Sequence, residues 1–337
     1  MALTLLEKAA LPHFLGEVSR SYSVIGPVAK GKDFVFEPLA QPPDVRLDYV
    51  TTILPPKKFF HAPLQTLFFF GEGEVKAAAE EEGIRVLFGV HPCDVNALRI
   101  LDVVYTKEFP DPYYQKNRER TLIVALNCNQ PGENCFCASL GTGPELEEGY
   151  DLLLTDLGES YLIEAGSKAG EELLEVAELP PAPRFLKVEK AKRMEAARAA
   201  FKKGLPHGGL EELLLKNFTH PLWEELKEQC LACGSCTMVC PTCFCYSVKD
   251  VVELSLTNGR RERVWDSCML LAYAAVALGG NFRKEREARL KHRLLHKLIY
   301  YRPQFGTLGC VGCGRCVTNC PVKIDPTAVV AKLRGEV

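Results

Sequence analysis

The sequence predicts two domains: an α/β N-terminal domain with a mixed, partly parallel sheet over residues 1–180, and an α-helical C-terminal domain over 184–337. Three observations carry this. Two apolar runs rich in β-formers, Ile84–Val90 and Thr121–Leu126, flank a helix-periodic stretch, the strand–helix–strand order of a parallel pair. The segment Glu178–Pro183 (ELPPAP) packs three prolines into six residues, which neither a helix nor a central strand tolerates. Beyond it, apolar residues recur at helical spacing. The length of 337 residues agrees with about two domains at ~150 residues each.

Taken in order, Val24-Ile25, Asp33–Phe36 and Thr51–Leu54 are short strand candidates. Leu67–Phe70 is an apolar run, followed by Gly71-Glu72-Gly73 and a helical stretch from Glu74 to Glu82. This reads as a tight βα turn. It is not a dinucleotide loop, because Lys76 stands where the third glycine of that fingerprint belongs. Val95, Leu98 and Leu101 give a helix over Asp94–Val104, and Leu152–Leu154 and Tyr161–Ile163 flank Gly158 as a hairpin. In the second domain, Lys187–Lys203 is an Ala-rich charged helix ending at Gly204. Leu210, Leu213, Leu214 and Phe218 follow at helical spacing, then a helix over Pro221–Gln229. Met269–Gly280 is long enough for a buried helix but not for the roughly 20 residues of a membrane span.

Composition excludes several classes. Lysine and arginine (41) nearly balance aspartate and glutamate (43), which argues against a general nucleic-acid binder. Glu7 and Lys8 interrupt the apolar start, so no secretory h-region forms, and a cytoplasmic protein without membrane insertion is expected. There is no Walker loop and no His-x-x-Glu-His motif. His61, His91, His207 and His220 are isolated, most of them beside proline or glycine as loop residues would be, and no catalytic acid or base stands out.

Cysteine is the outlier: fifteen in one chain. A reducing compartment rules out a disulfide scaffold, and the clustered spacing points to metal or cluster ligation. Cys230-x-x-Cys233-x-x-Cys236-x-x-x-Cys240-Pro241 recurs 80 residues later as Cys310-x-x-Cys313-x-x-Cys316-x-x-x-Cys320-Pro321. This is the ferredoxin spacing for [4Fe-4S] clusters, so the helical domain is read as a ferredoxin-like dicluster domain. Three thiolates at two-residue intervals let a short loop wrap three irons of a cube, and backbone N–H groups point at its sulfurs. Gly234, Gly312 and Gly314 are expected to clear space for the cube, and each proline to open a helix. Zinc motifs pair two ligands per short spacing and do not place four in a row before a proline. In two-cluster ferredoxins the fourth cysteine ligates the other cluster. Applied here, Cys230, Cys233, Cys236 and Cys320 hold one cluster, and Cys310, Cys313, Cys316 and Cys240 the other.

The 69 residues between Cys240 and Cys310 read as mostly helical. Within them Phe282–Lys297 carries seven Lys/Arg against two Glu, with Arg286, Arg289, Arg293 and His296 on one face and Leu290, Leu294 and Leu298 beside it. Two readings stand: a basic helix beside the clusters or an acidic partner, and a plain solvated face.

Four cysteines remain in the first domain. Cys93 follows strand 84–90, Cys128 follows strand 121–126, and Cys135 and Cys137 sit in the loop NCNQPGENCFC. If the two strands are parallel neighbours, all four converge at their carboxyl edge, where open α/β sheets bind ligands. A third [4Fe-4S] cluster, a structural zinc and unliganded thiols are the three readings. Cys243, Cys245 and Cys268 are left over and read as small buried hydrophobes or neighbours of a cluster.

The stretches HPCDVNALRILD, NCNQPGENCFCASLGTGP, CLACGSCTMVCPTCFC, WDSC and CVGCGRCVTNCPVKID together span residues 91–325. In these the chain resembles the β subunit of soluble sulfhydrogenases and related NAD(P)-linked nickel–iron hydrogenases. It equally resembles the A subunit of anaerobic sulfite reductase. The resemblance implies an iron–sulfur electron-transfer subunit of an oxidoreductase complex in anaerobic metabolism. Its neighbours would be a flavin and [2Fe-2S] subunit that handles NAD(P)H and a terminal subunit with a nickel–iron, sirohaem or other reductase centre. No nucleotide or flavin is expected on this chain. The alternatives are a free-standing cluster-dependent thiol or disulfide reductase using Cys93 or Cys268, and a cluster-based sensor or scaffold.

Overall fold

A computed structural model describes residues 3–79, 82–176 and 179–336. The first half is built on a seven-stranded sheet of order β1-β9-β8-β7-β6-β2-β3. Its strands are β1 (Leu3–Glu7), β2 (Ser23–Lys30), β3 (Asp33–Pro38), β6 (Arg85–Val90), β7 (Thr121–Leu126), β8 (Leu152–Asp156) and β9 (Ser160–Ala165). The central pairs β2–β6, β6–β7 and β7–β8 are parallel, and the outer pairs antiparallel. The mixed, partly parallel sheet is therefore as the sequence predicted.

Alternation along the strands divides the core between two faces. Val86, Phe88, Val124 and Leu154 pack with Phe14, Leu15 and Val18 of α1 (Leu11–Ser19) and Leu173 of α4 (Lys168–Glu175). Leu87, Val90, Ile123 and Leu153 pack on the other face with Val95, Leu98 and Leu101 of α2 (Pro92–Thr106) and Tyr114 of α3 (Pro112–Glu119). Each fully buried Leu, Val or Phe contributes roughly 1.5–3 kcal/mol. Because helices cover both faces, β6 is buried throughout and reads as an unbroken apolar run.

The apolar start of the chain is edge strand β1, Leu5 opposite Leu162. The proline strap lies along it: Leu5 N–H donates to Pro180 O and Ala182 N–H to Leu3 O. Glu178, at the head of that strap, lies outside the described residues, as do Glu80 and Glu81 of the expected helix 74–82.

Three expectations fail in instructive ways. Residues 64–77 form a hairpin of β4 (Leu64–Gly71) and β5 (Glu74–Ala77), not a strand and helix. Glu72 (φ 51°) and Gly73 (φ 81°) make a two-residue turn with both central residues left-handed, the geometry that joins antiparallel strands. The supposedly helical insert supplies β10 (Tyr246–Val252) and β11 (Asn258–Trp265), which complete a second, antiparallel sheet of order β10-β11-β4-β5. Valines at 248, 251, 252 and 264 and the Arg261–Asp250 pair across the strands (2.7 and 2.8 Å) suit a ladder better than a helix. Met269–Gly280 is two 3₁₀ turns, not a buried helix. Met269 and Ala274 are buried, while Leu271 and Leu278 project outward. Thr51–Leu54 is a loop, not a strand, tied to β3 by Ile53 N–H on Phe34 O (3.0 Å).

The second half is otherwise helical: α5 (Leu186–Ala199), α6 (Leu210–Lys216), α7 (Leu222–Gln229), the short α8 (Ser235–Met238), α9 (Arg286–Leu295), α10 (Tyr301–Phe305), the short α11 (Arg315–Thr318) and α12 (Pro326–Arg334). Its core joins Leu210, Leu214, Trp223, Leu290, Leu294, Leu298 and Val330. Among the described residues, no helix is long and apolar enough to cross a membrane.

Candidate iron–sulfur sites

The two cysteine motifs fold alike. Each begins at its first cysteine, Cys230 or Cys310, and passes a left-handed residue, Ala232 (φ 49°) or Gly312 (φ 63°). Each then turns through a left-handed glycine, Gly234 (φ 77°) or Gly314 (φ 72°), into a four-residue helix, α8 or α11. These two helices pack against each other, and Ser235 Oγ donates to Asn319 O (3.2 Å). The prolines after the fourth cysteines do not open helices. Both lie in turns, with Cys243 N–H on Cys240 O and Lys323 N–H on Cys320 O.

The second motif needs glycine for a different reason from the one expected. A Cβ at Gly312 would stand 2.6 Å from Cys137 N, and one at Gly314 2.5 Å from Asn134 O. Both glycines make room for the backbone of the first-domain loop, and Gly234 faces Ser267 Oγ. That loop is docked on the motif by Phe136 N–H on Gly312 O (2.8 Å) and Thr142 Oγ1 on Val311 O (2.8 Å).

Three cavities result. Cavity 1 is walled by Cys230, Cys233, Cys236 and Cys320, with Cys316 and Arg293 beside them. Cavity 2 is walled by Cys240, Cys310, Cys313 and Cys316, with Arg293 and Lys297. Cavity 3 is walled by Cys93, Cys128, Cys135 and Cys137, with Cys313 and Arg315. It lies at the carboxyl edge of β6 and β7, where Cys93 opens α2 and Cys128 follows β7. Cys316 is common to the first two walls and Cys313 to the last two, so the cavities lie in a row with cavity 2 in the middle. Cys233 is exposed at the outer end of cavity 1.

The donor chemistry suits iron–sulfur clusters. Ala232 N–H points at Cys230 Sγ (3.4 Å), Gly312 N–H at Cys310 Sγ (3.5 Å) and Ile324 N–H at Cys320 Sγ (3.4 Å). Burial pushes the thiols of Cys310 and Cys128 up to about 12, so they stay protonated unless a metal displaces the proton. Among the described residues, no three His, Cys, Asp or Glu side chains converge closely enough to hold a single ion.

The basic segment 282–297 is solvated only at its start, where Lys284 and Arg286 are exposed; Arg289, Lys291, Arg293 and Lys297 are buried. Arg289 Nε donates to Met269 O (2.9 Å) and pins the surface loop. Helix α9 passes into a π turn, His296–Tyr300, a feature often found at functional sites. Burial opposes the charges of Arg293 and Lys297, but negative charge on the surrounding cysteine sulfurs, and for Lys297 also on Tyr301 Oη, outweighs it and holds both cations protonated.

Sequence reasoning missed the ion pair at cavity 3. Arg315 of the second motif meets Asp94, next to Cys93, through two bonds of 2.7 and 2.6 Å, and both side chains are 1% exposed. The signal was a charged residue adjoining a cysteine in each motif. His91, expected on a loop, is buried beside cavity 3 and stacked on Tyr49 (centroids 4.2 Å apart). His61 is buried too. The three leftover cysteines wall none of the three cavities. Cys243 is buried beside Cys240, and its carbonyl accepts from Lys57 Nζ (2.6 Å). Cys245 neighbours Cys268, whose thiol lowers its pKa.

Residues 229–324 match the 4Fe-4S dicluster domain family. The chain is 39% identical over 331 residues to the sulfhydrogenase 2 subunit beta of Pyrococcus furiosus, covering 98% of this chain and 97% of that protein. No solved structure matches.

Proposed function

The chain belongs to the sulfhydrogenase β-subunit family, and from that premise we propose that it is the iron–sulfur electron-transfer subunit of a hydrogenase-type complex. In this reading it carries three [4Fe-4S] clusters in a row. Residues 1–180 hold one, through Cys93, Cys128, Cys135 and Cys137, and residues 184–337 hold two. Cys230, Cys233, Cys236 and Cys320 ligate the first of these, and Cys310, Cys313, Cys316 and Cys240 the second. The observation that carries the reading is the wall composition of cavities 1 and 2. The fourth thiol of each comes from the other motif, as two-cluster ferredoxins require. Thiols ringing cavity 3, without converging on a point, favour a cluster over zinc there.

When bound, such clusters accept and release single electrons without bond-making on substrate. The protein's part is to hold iron by thiolate, to donate N–H groups to sulfur, and to exclude water. Its partners in this proposal are a flavin and [2Fe-2S] subunit that handles NAD(P)H and a terminal redox subunit of hydrogenase or sulfite-reductase type. No flavin or nucleotide is assigned to this chain. Anaerobic purification of the full chain is expected to give about twelve irons. Fewer than about eight would defeat the dicluster reading, and about eight would remove the third cluster alone. Nickel or sirohaem in the co-purified complex identifies the terminal partner.

A further inference from the structure

This inference rests on the three-cluster reading above and concerns the fixed charge around each centre. Reducing a cluster adds one negative charge, so a nearby buried cation favours the reduced form, the more strongly when no carboxylate neutralises it. The three cavities differ in this respect.

At cavity 3 the cation is already matched: Arg315 is bonded to Asp94 at both terminal nitrogens. Arg293, which lines cavities 1 and 2, is not matched. Among the described residues it makes no ion pair. One terminal nitrogen donates to Cys236 O at 3.4 Å, and its buried Nε has no acceptor. Lys297 lines cavity 2 and likewise makes no ion pair among the described residues. Its ammonium donates to neutral oxygens only, Thr242 O (2.9 Å), Thr242 Oγ1 (3.0 Å) and Tyr301 Oη (3.4 Å). Unmatched cations thus number two at the middle cavity, one shared with the outer cavity, and none at the first-domain cavity.

We propose that Lys297 and Arg293 are potential-setting residues that make the middle centre the most readily reduced of the three, so that an electron in transit rests at the centre of the row. Lys297 acts on that centre alone, and Arg293 acts on it and on the cavity 1 centre. Neither touches substrate, so both are positioning residues for charge. Water at exposed Cys233 also favours reduction at cavity 1, but a neutral substitution at 297 leaves that water in place and isolates the effect of charge.

The test is an EPR-monitored redox titration of the anaerobically loaded full-length chain. Lys297→Gln, which keeps a donor for Thr242, is expected to lower the midpoint potential of one centre only, the highest in the unmutated chain. Arg293→Gln is expected to lower that centre and a second one, leaving the third unmoved. Lys297→Arg restores the charge and the original potential, which a merely structural role would not explain. The proposal is overturned if Lys297→Gln retains its iron and shifts no centre, shifts all three together, or shifts one that is not the highest. If Lys297→Gln loses iron, Arg293→Gln decides alone: an unmoved highest centre overturns the proposal. A shortage of iron in the unmutated chain would instead strike at the three-cluster reading itself.

Discussion

His61 shows how far a single side chain here departs from solution behaviour. Its ring is fully buried among Tyr105, Tyr246 and Trp265, and neither nitrogen has a partner. Burial, helped by Arg263 and Lys57, pushes its pKa down to about 3. The folded chain therefore keeps the ring neutral, while the unfolded chain takes up a proton below about 6.5. Stability from this residue is complete above that pH and falls as pH drops toward 3, by up to about 1.4 kcal/mol per unit. His61→Phe should flatten the dependence of the thermal midpoint between pH 7.5 and 5.5, other groups contributing equally to both proteins. An identical slope in the variant would rule this out. Nothing in the sequence distinguished His61 from a loop histidine, since its burial depends on strands separated from it by some 200 residues.

At the level of elements, the hairpin β10–β11 is held to the first domain by charge as well as by strand pairing. Arg263 of β11 is buried and forms an ion pair with Asp111, and it donates to Gln65 Oε1 (2.6 Å). Asp111 also caps α3, accepting from Tyr114 N–H (2.9 Å). Asp111→Ala removes the cap and leaves a buried guanidinium unpaired, a loss of about 3–5 kcal/mol. Urea unfolding followed by tryptophan fluorescence reads this directly, and an unchanged midpoint would show that the second sheet does not need the pair. Elements with one dominant local signal were legible: the buried strands β6 and β7, the helix after Cys93, and the hairpin β8–β9. The hairpins at 64–77 and 246–265 were not. Their partners are each other, and pairing across nearly 200 residues leaves no local period to read. Likewise the thiol spacing grouped the cysteines that wall each cavity, whereas Arg293 and Lys297 showed only as part of a basic run. Their proposed tasks depend on which face of α9 and of the π turn after it is covered.

Across the whole molecule, the two halves meet at the NCFC loop and the second motif, where backbone approaches backbone and Arg315 reaches Asp94. Arg315→Met leaves the Asp94 carboxylate buried without a counter-charge, again about 3–5 kcal/mol. The expected outcome is a lower thermal midpoint and the loss of about four irons, those of the cluster proposed for the first domain. Iron analysis of the anaerobically prepared variant checks it, and full iron content with an unshifted midpoint would disprove it.

The exchange of fourth thiols between the motifs also has a consequence for biosynthesis. Cys320 lies ninety residues beyond Cys230. On the ribosome, the emerging polypeptide cannot close the first cavity until Cys320 has left the exit tunnel. Loading of the proposed cluster there must therefore wait for the second motif to emerge, and a truncated product ending before Cys310 leaves that cavity only the sulfurs of Cys230, Cys233 and Cys236.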